Sequence, residues 1–96
     1  MLGAYHVAFF VYILQCCDGT YYTGYTKDLD ERIKQHANGN GAKYTRSHKP
    51  DRVAYVEVFE SRSNAMRREK EIKKLGHQSK MKLILSQHKN GEAENK

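Results

Sequence analysis

The sequence predicts an α/β domain of the α+β type, with a three-stranded antiparallel sheet flanked by helices in the order β-β-α-β-α-α. Two segments rich in β-branched and aromatic residues, 7–16 and 20–25, flank an Asp18-Gly19 turn signal, which predicts a β-hairpin. A third segment of this kind, 52–59, lies between stretches with helical spacing of apolar residues. A chain of 96 residues is expected to form one domain.

The first strand is a nearly continuous apolar run, which predicts that both of its faces are covered. Local sequence leaves the register of the hairpin open. A two-residue loop points Tyr12 and Tyr22 to opposite faces of the sheet, because side chains alternate along a strand. A three-residue loop, with Gly19 left-handed, pairs Cys16 with Thr20 and places both tyrosines on one face.

A capping box predicts where the first helix begins. Asp28 can act as the N-cap, and Glu31 follows three residues later, so the helix is expected to run to about residue 37. Arg32 and His36 lie one helical turn apart on it. Their spacing places both at the edge of the apolar stripe that faces the sheet.

A second helix is predicted over residues 62–75, and a short third helix over residues 78–87. Glu69 falls inside the apolar stripe of the second helix, although most of that helix is basic. A buried acid needs a partner, so we expect Glu69 to meet a metal ion, Arg32 or a neighbouring lysine.

In the third strand, alternation puts Ala54, Val56 and Val58 on one apolar face, which we expect to face the core. The predicted domain covers residues 1–87. Residues 88–96 are polar and are predicted to form a disordered tail.

The net charge of +6 is concentrated in one part of the chain, residues 43–82, which carry twelve basic and five acidic residues. Such a concentration attracts phosphate backbones, although a solvated surface is the alternative. Within it, residues 43–49 interleave hydroxyl, aromatic and basic groups, a mixture that suits phosphate contacts and base stacking.

Several protein classes are not expected. The longest apolar run, 7–14, is too short for a transmembrane helix and lacks the basic region and cleavage site of a signal peptide. The two cysteines, Cys16 and Cys17, are adjacent and are expected to stay reduced. We therefore expect a cytoplasmic protein with no membrane partner.

Five short motifs follow one another in a fixed order: Phe10-Val11-Tyr12, Tyr22-Thr23-Gly24, residues 27–33 with Arg32, then His36, and residues 65–69 ending in Glu69. In this order and spacing they resemble the GIY-YIG nuclease superfamily, in particular its small stand-alone, single-domain branch. The resemblance covers residues 10–75, most of the chain.

The resemblance implies a metal-dependent endonuclease that hydrolyses DNA phosphodiesters in repair or processing. Glu69 would bind one divalent ion, Mg²⁺ in preference to Mn²⁺, and Arg32 would bind the phosphate. Tyr12 or Tyr22 would activate water while the other orients the scissile group, and the two roles stay open. A nearby cation would favour the phenolate, and His36 could relay the proton.

Seven residues are predicted to contact the nucleic acid: Lys27, Lys43, Tyr44, Arg46, Lys49, Arg67 and Arg68. The alternative function is a nucleic-acid binding module, or an interaction module of a repair complex, without cleavage activity. Phe10 stands where the family has glycine, Tyr25 where some members have a basic residue, and an asparagine near the end of many family domains has no clear match.

Overall fold

A computed structural model describes residues 7–94, with side chains for residues 7–88. Residues 1–6 and the last two residues of the predicted tail lie outside the described residues. Three strands form one antiparallel sheet in the order β2-β1-β3, so β1 is central. The predicted class and element order are confirmed. The elements are β1 Phe9–Cys16, β2 Tyr21–Thr26, α1 Leu29–Ala37, α2 Lys43–Ser47, β3 Pro50–Phe59, α3 Arg62–Lys73 and α4 His77–Glu94.

Two helices differ from the prediction. The five-residue α2 lies within residues 43–49, where a polar loop was the simplest expectation. Its Thr45 is buried. A helix this short is stabilised by tertiary packing and not by its own sequence, so its pattern carries no periodicity to detect. The predicted third helix, α4, continues beyond residue 87 to Glu94, into the segment that was assigned to a disordered tail.

Both faces of β1 are covered, as the apolar run predicted. Val11 and Ile13 pack against Ala65 and Ile72 of α3, in a core that also includes Ile84 of α4. The opposite face of β1 carries Tyr12 and Leu14, which are also almost fully buried. Among the described residues, no helix is long and apolar enough to cross a membrane.

The predicted core face of β3 is wrong in part, because a β-bulge resets the alternation. Ile13 pairs with Tyr55 while Leu14 pairs with Val53, so Ala54 is an extra residue. Ala54 and Tyr55 are both buried in the core, whereas Val58 is 61 % exposed. Beyond the bulge, Tyr55 and not Val56 points to the core.

The hairpin adopts the three-residue loop. The amide of Cys16 donates to the carbonyl of Thr20 (2.8 Å), and Gly19 has φ +85°. Tyr12 therefore lies opposite Gly24, and Leu14 lies opposite Tyr22. Tyr12 and Tyr22 share one face of the sheet, with ring centroids 6.3 Å apart.

Gly24 is a site of close approach between strand and side chain. A Cβ placed there would lie 2.7 Å from the Tyr12 hydroxyl oxygen and 3.1 Å from a ring carbon of Tyr22. The phenol of Tyr12 thus crosses β2 where the strand has no side chain. Glycine at this position is required by the neighbouring tyrosines.

We expect Gly24→Ala to lower the melting temperature and to displace the Tyr12 ring, because the added methyl overlaps the buried phenol, which has to shift to admit it. Overpacking of this kind costs about 1–3 kcal/mol. Gly76→Ala is the matched control, since a Cβ at Gly76 meets no atom within 4 Å. Thermal unfolding and the aromatic NMR signals of Tyr12 measure both effects. An unshifted Tyr12 ring in Gly24→Ala would contradict the close approach.

Candidate active site

A cleft of about 510 Å³ opens beside β2, between α1 and the first turns of α3. Its wall includes Tyr12 from β1, Tyr22 from β2, Arg32 from α1 and Glu69 from α3. These four side chains come from four separate elements. The fold therefore brings together four of the five residues that the sequence motifs singled out, and the fifth is His36.

A chain of hydrogen bonds leads from the cleft into the protein. The Tyr12 hydroxyl lies 2.8 Å from Nε2 of His36, and Nδ1 of His36 lies 2.8 Å from Oγ1 of Thr45. Thr45 in turn donates to the carbonyl oxygen of Ala42 (3.1 Å). Tyr12, His36 and Thr45 are each 2 % exposed or less. His36 does not line the cleft itself, and it is linked to the cleft through the hydroxyl of Tyr12.

Burial governs the titration of this pair. It raises the pKa of Tyr12 well above the ordinary value, with a further rise from Tyr22, while Arg32 lowers this pKa and Glu69 raises it. Arg32 lowers the pKa of Tyr12, as the sequence predicted for a nearby cation, but burial raises it by more. Burial and then Arg32 lower the pKa of His36. At neutral pH the pair is therefore a phenol and a neutral imidazole.

Arg32 is positioned by the N-terminal cap of α1. The Asp28 carboxylate accepts a hydrogen bond from the amide of Glu31 (3.1 Å), as the capping box predicted. Arg32 and His36, four residues apart, then face the sheet together. Arg32 is half-buried, and within the described part of the chain it forms no ion pair. Its guanidinium is available for a phosphate.

Glu69 lies on the inner side of α3, which begins after Ser61, whose hydroxyl accepts from the amide of Asn64 (3.2 Å). The Glu69 side chain is 15 % exposed, and its carboxylate contacts the ammonium of Lys73 at 3.4 Å. Of the three predicted partners, the lysine is the one in contact.

The donor set in the cleft restricts how a metal ion could bind. No cluster of three or more histidine, cysteine, aspartate or glutamate side chains occurs among the described residues. A site built on Glu69 alone would need water and phosphate oxygens to complete it. Mg²⁺ binds in this way, through one or two carboxylates with retained water, so a half-buried carboxylate at an open cleft fits that ion.

Five of the predicted nucleic-acid contacts lie at the cleft or at the aromatic stack beside it, and the other two lie on another side of α3. Lys27 lines the cleft. Tyr44 stacks between Tyr22 (6.0 Å between centroids) and His48 (4.1 Å), which extends the aromatic surface away from the cleft. The basic residues Lys43 and Arg46 line a recess next to this stack, and Lys49 is exposed nearby in the chain.

Arg67 and Arg68 lie elsewhere. Both line a separate recess beside Phe59, on another side of α3. Arg68 donates to the carboxylates of Glu57 (3.0 Å) and Glu71 (3.1 Å), so two acids already neutralise it. Arg68 is thus already paired, whereas Arg67 is exposed, and both remain predicted contacts away from the cleft.

Arg62 was missed by the sequence analysis, although it lines the cleft. It is the first residue of α3 and lies seven residues before Glu69, which places both on one face of the helix. Its guanidinium lies 5.3 Å from the centroid of the Phe9 ring, a cation–π contact that orients it. The seven-residue spacing was the one signal that could have identified it.

Comparisons with known proteins agree with this arrangement. The model of the GIY-YIG catalytic domain matches residues 8–83. A UPF0213 protein of Staphylococcus saprophyticus is 49 % identical over 75 residues, which cover 78 % of this chain and 92 % of that protein. A UPF0213 protein of Staphylococcus aureus is 48 % identical over the same shares of both chains.

Solved structures show the same likeness. The solution structure of the UPF0213 protein BH0048 from Bacillus halodurans is 51 % identical, with a TM-score of 0.53 over 80 % of this chain and 82 % of that one. Protein EF2693 from E. faecalis is 36 % identical, with a TM-score of 0.59 over 84 % and 86 %. The chain belongs to the GIY-YIG family, and its relatives are small UPF0213 proteins.

Proposed function

We propose that this protein is a metal-dependent endonuclease that hydrolyses DNA phosphodiesters, in DNA repair or processing. The observation that carries the proposal is that one cleft is lined by Arg32, Glu69 and Tyr12. The hydroxyl of Tyr12 is hydrogen-bonded to His36. Phosphodiester hydrolysis needs an activated water, a neutralised phosphate and assistance to the leaving oxygen. Each of these needs is met by one chemical group in the cleft.

Tyr12 is the group that we assign to water activation. As the attacking water loses a proton to the Tyr12 oxygen, the phenol passes its own proton to Nε2 of His36. No free phenolate has to accumulate, which removes the difficulty of a buried phenol with a raised pKa. The hydroxide forms a new bond to phosphorus while the bond to the leaving oxygen breaks, and the leaving oxygen takes a proton from water, giving a phosphomonoester and an alcohol. His36 then returns its extra proton to solvent through Tyr12.

Arg32 and Tyr22 act on the phosphate. The planar guanidinium of Arg32 can donate two hydrogen bonds to the non-bridging oxygens, whose charge grows in the transition state. Tyr22 lines the same cleft, and its hydroxyl has no hydrogen-bond partner within residues 7–88. We assign it to orienting the scissile group.

Glu69 is the residue that would hold the metal ion. GIY-YIG nucleases generally use divalent metals, and a bound Mg²⁺ or Mn²⁺ would neutralise phosphate charge and assist the leaving oxygen. Lys73 contacts the Glu69 carboxylate at 3.4 Å, and its side chain is half-exposed. This ion pair and a bound divalent ion would compete for the negative charge of Glu69.

We expect Arg32→Ala and Glu69→Gln each to abolish cleavage of DNA in the presence of Mg²⁺ or Mn²⁺ while the fold persists. Loss of one preorganised donor typically costs about 10²–10³ in rate. Cleavage is measured on duplex, single-stranded, flapped and branched DNA, and the fold by circular dichroism. Arg52→Ala and Glu71→Gln are the matched controls, since neither residue lines the cleft. Activity that survives both cleft substitutions would rule out this site.

Metal titration followed by NMR separates the nuclease from a module that only binds nucleic acid. Shifts centred on Glu69 that disappear in Glu69→Gln support the enzyme. Undisturbed spectra at millimolar Mg²⁺, together with DNA binding that weakens steeply with salt, would support the binding module instead.

We expect Arg62→Ala to weaken DNA binding and to reduce the slope of log affinity against log salt by about one, because one phosphate contact is lost. Binding is measured by fluorescence anisotropy at several salt concentrations with Glu69→Gln as the background, so that DNA is not cut. Arg52→Ala again serves as the control. An unchanged salt slope in Arg62→Ala would show that the cation–π contact orients Arg62 for packing alone.

A further inference from the structure

Thr45 has no part in the function proposed above, yet it is the far end of the hydrogen-bond chain that starts at Tyr12. Thr45 is 2 % exposed, and within residues 7–88 its hydroxyl contacts two polar groups, Nδ1 of His36 and the carbonyl of Ala42. The residue lies in α2, in the segment that covers His36. Because these groups are buried, each proton in the hydrogen-bond chain can be assigned to one donor atom.

The carbonyl of Ala42 is the one group at this end of the chain that cannot donate. It lies 3.1 Å from Oγ1 of Thr45, three residues later in the helical segment, which is a common acceptor position for a threonine hydroxyl, and it also accepts from the amide of Arg46 (3.3 Å). With the Thr45 proton on this carbonyl, the oxygen of Thr45 presents lone pairs to Nδ1 of His36 at 2.8 Å. Nδ1 then carries the hydrogen, because a bare nitrogen would meet those lone pairs without a proton between them.

A neutral imidazole has one ring proton, and burial keeps His36 neutral by lowering its pKa. With that proton on Nδ1, Nε2 is a bare acceptor 2.8 Å from the Tyr12 hydroxyl. Tyr12 then donates its proton to the imidazole. The direction of every hydrogen bond in the chain is set from the Thr45 end.

The backbone before α2 is shaped for this contact. A Cβ at Gly41 would overlap the imidazole of His36, so the chain passes against the ring only because residue 41 is glycine. Four residues later, Thr45 reaches Nδ1 from the same segment. Gly41 and Thr45 together fix where the ring sits and which of its atoms can be a donor.

We propose that Thr45 is a positioning residue that holds His36 in the Nδ1–H tautomer, so that Nε2 can accept the proton of Tyr12. The inference rests on the proposed function in one respect, the assignment of water activation to Tyr12. Without the Thr45 hydroxyl the ring can protonate at Nε2 instead. Nε2 would then donate to the Tyr12 oxygen, and the phenol would lose the acceptor for its own proton.

The test compares Thr45→Val, which has the shape of threonine without the hydroxyl, with Thr45→Ser, which keeps the hydroxyl. In protein labelled with ¹⁵N-histidine, long-range ¹H–¹⁵N spectra at about pH 8, above the ordinary histidine range, show which ring nitrogen carries the proton. We expect the Nδ1–H pattern for His36 in the wild type and in Thr45→Ser. In Thr45→Val we expect the Nε2–H pattern or a mixture of the two.

An Nε2–H pattern in the wild type, or an unchanged Nδ1–H pattern in Thr45→Val, would overturn the inference. If Thr45→Val does not fold, Thr45→Ala replaces it, and the wild-type spectrum alone still decides which nitrogen is protonated. These spectra require no activity, so they test Thr45 even if the protein does not cut DNA.

Cleavage provides the second measurement. We expect Thr45→Val to reduce the cleavage rate on the order of 10²-fold, the size of a lost general-base contribution, while Thr45→Ser restores it. Full activity in a Thr45→Val protein whose tautomer has switched would show that the tautomer is irrelevant to the reaction. Absence of cleavage in the wild type would instead contradict the proposed function and leave the spectroscopic result to stand by itself.

Discussion

The hydrogen bond between Tyr12 and His36 is the contact on which the rest of the site depends, because it joins the central strand to the first helix inside the protein. The three-residue loop places Gly24 opposite Tyr12, so the phenol can pass across β2 to reach His36. Glycines at positions 24 and 41 allow a phenol and an imidazole to approach the backbone closely. The bond therefore depends on a turn, a helix cap and two positions without side chains.

The charges that line the cleft nearly cancel, so the cleft alone attracts a polyanion only weakly. Three cations and three carboxylates line it: Lys27, Arg32, Arg62, Asp28, Glu31 and Glu69. This lining is close to neutral, while the excess positive charge of the chain lies in residues 43–82. Basic groups outside the cleft would supply long-range attraction to DNA, and Arg32, Arg62 and an ion at Glu69 would act on the phosphates at short range.

The ordered motifs that resemble the family identified Tyr12, Tyr22, Arg32 and Glu69, and local signals, the capping box and helical spacing, placed Arg32 and Glu69 on their helices. The hairpin register was not predictable in the same way, since the loop conformation at Gly19 depends on pairing along the whole strand. The bulge in β3 and the short helix α2 are likewise results of tertiary packing. Arg62 was not predicted, because an arginine in the first turn of a basic helix resembles an ordinary surface residue in the sequence. Only the structure shows the cleft beside it.

The two motif triplets are not equivalent, and packing shows why one glycine can be replaced. Phe10 lies two residues before Tyr12, pairs with Thr26, is half-buried and lines a recess other than the cleft. Gly24 lies directly beneath the Tyr12 hydroxyl, where a Cβ would collide with it. A phenylalanine at position 10 is therefore compatible with an intact cleft, whereas the glycine of the second triplet is fixed by the same phenol that we assign to the chemistry.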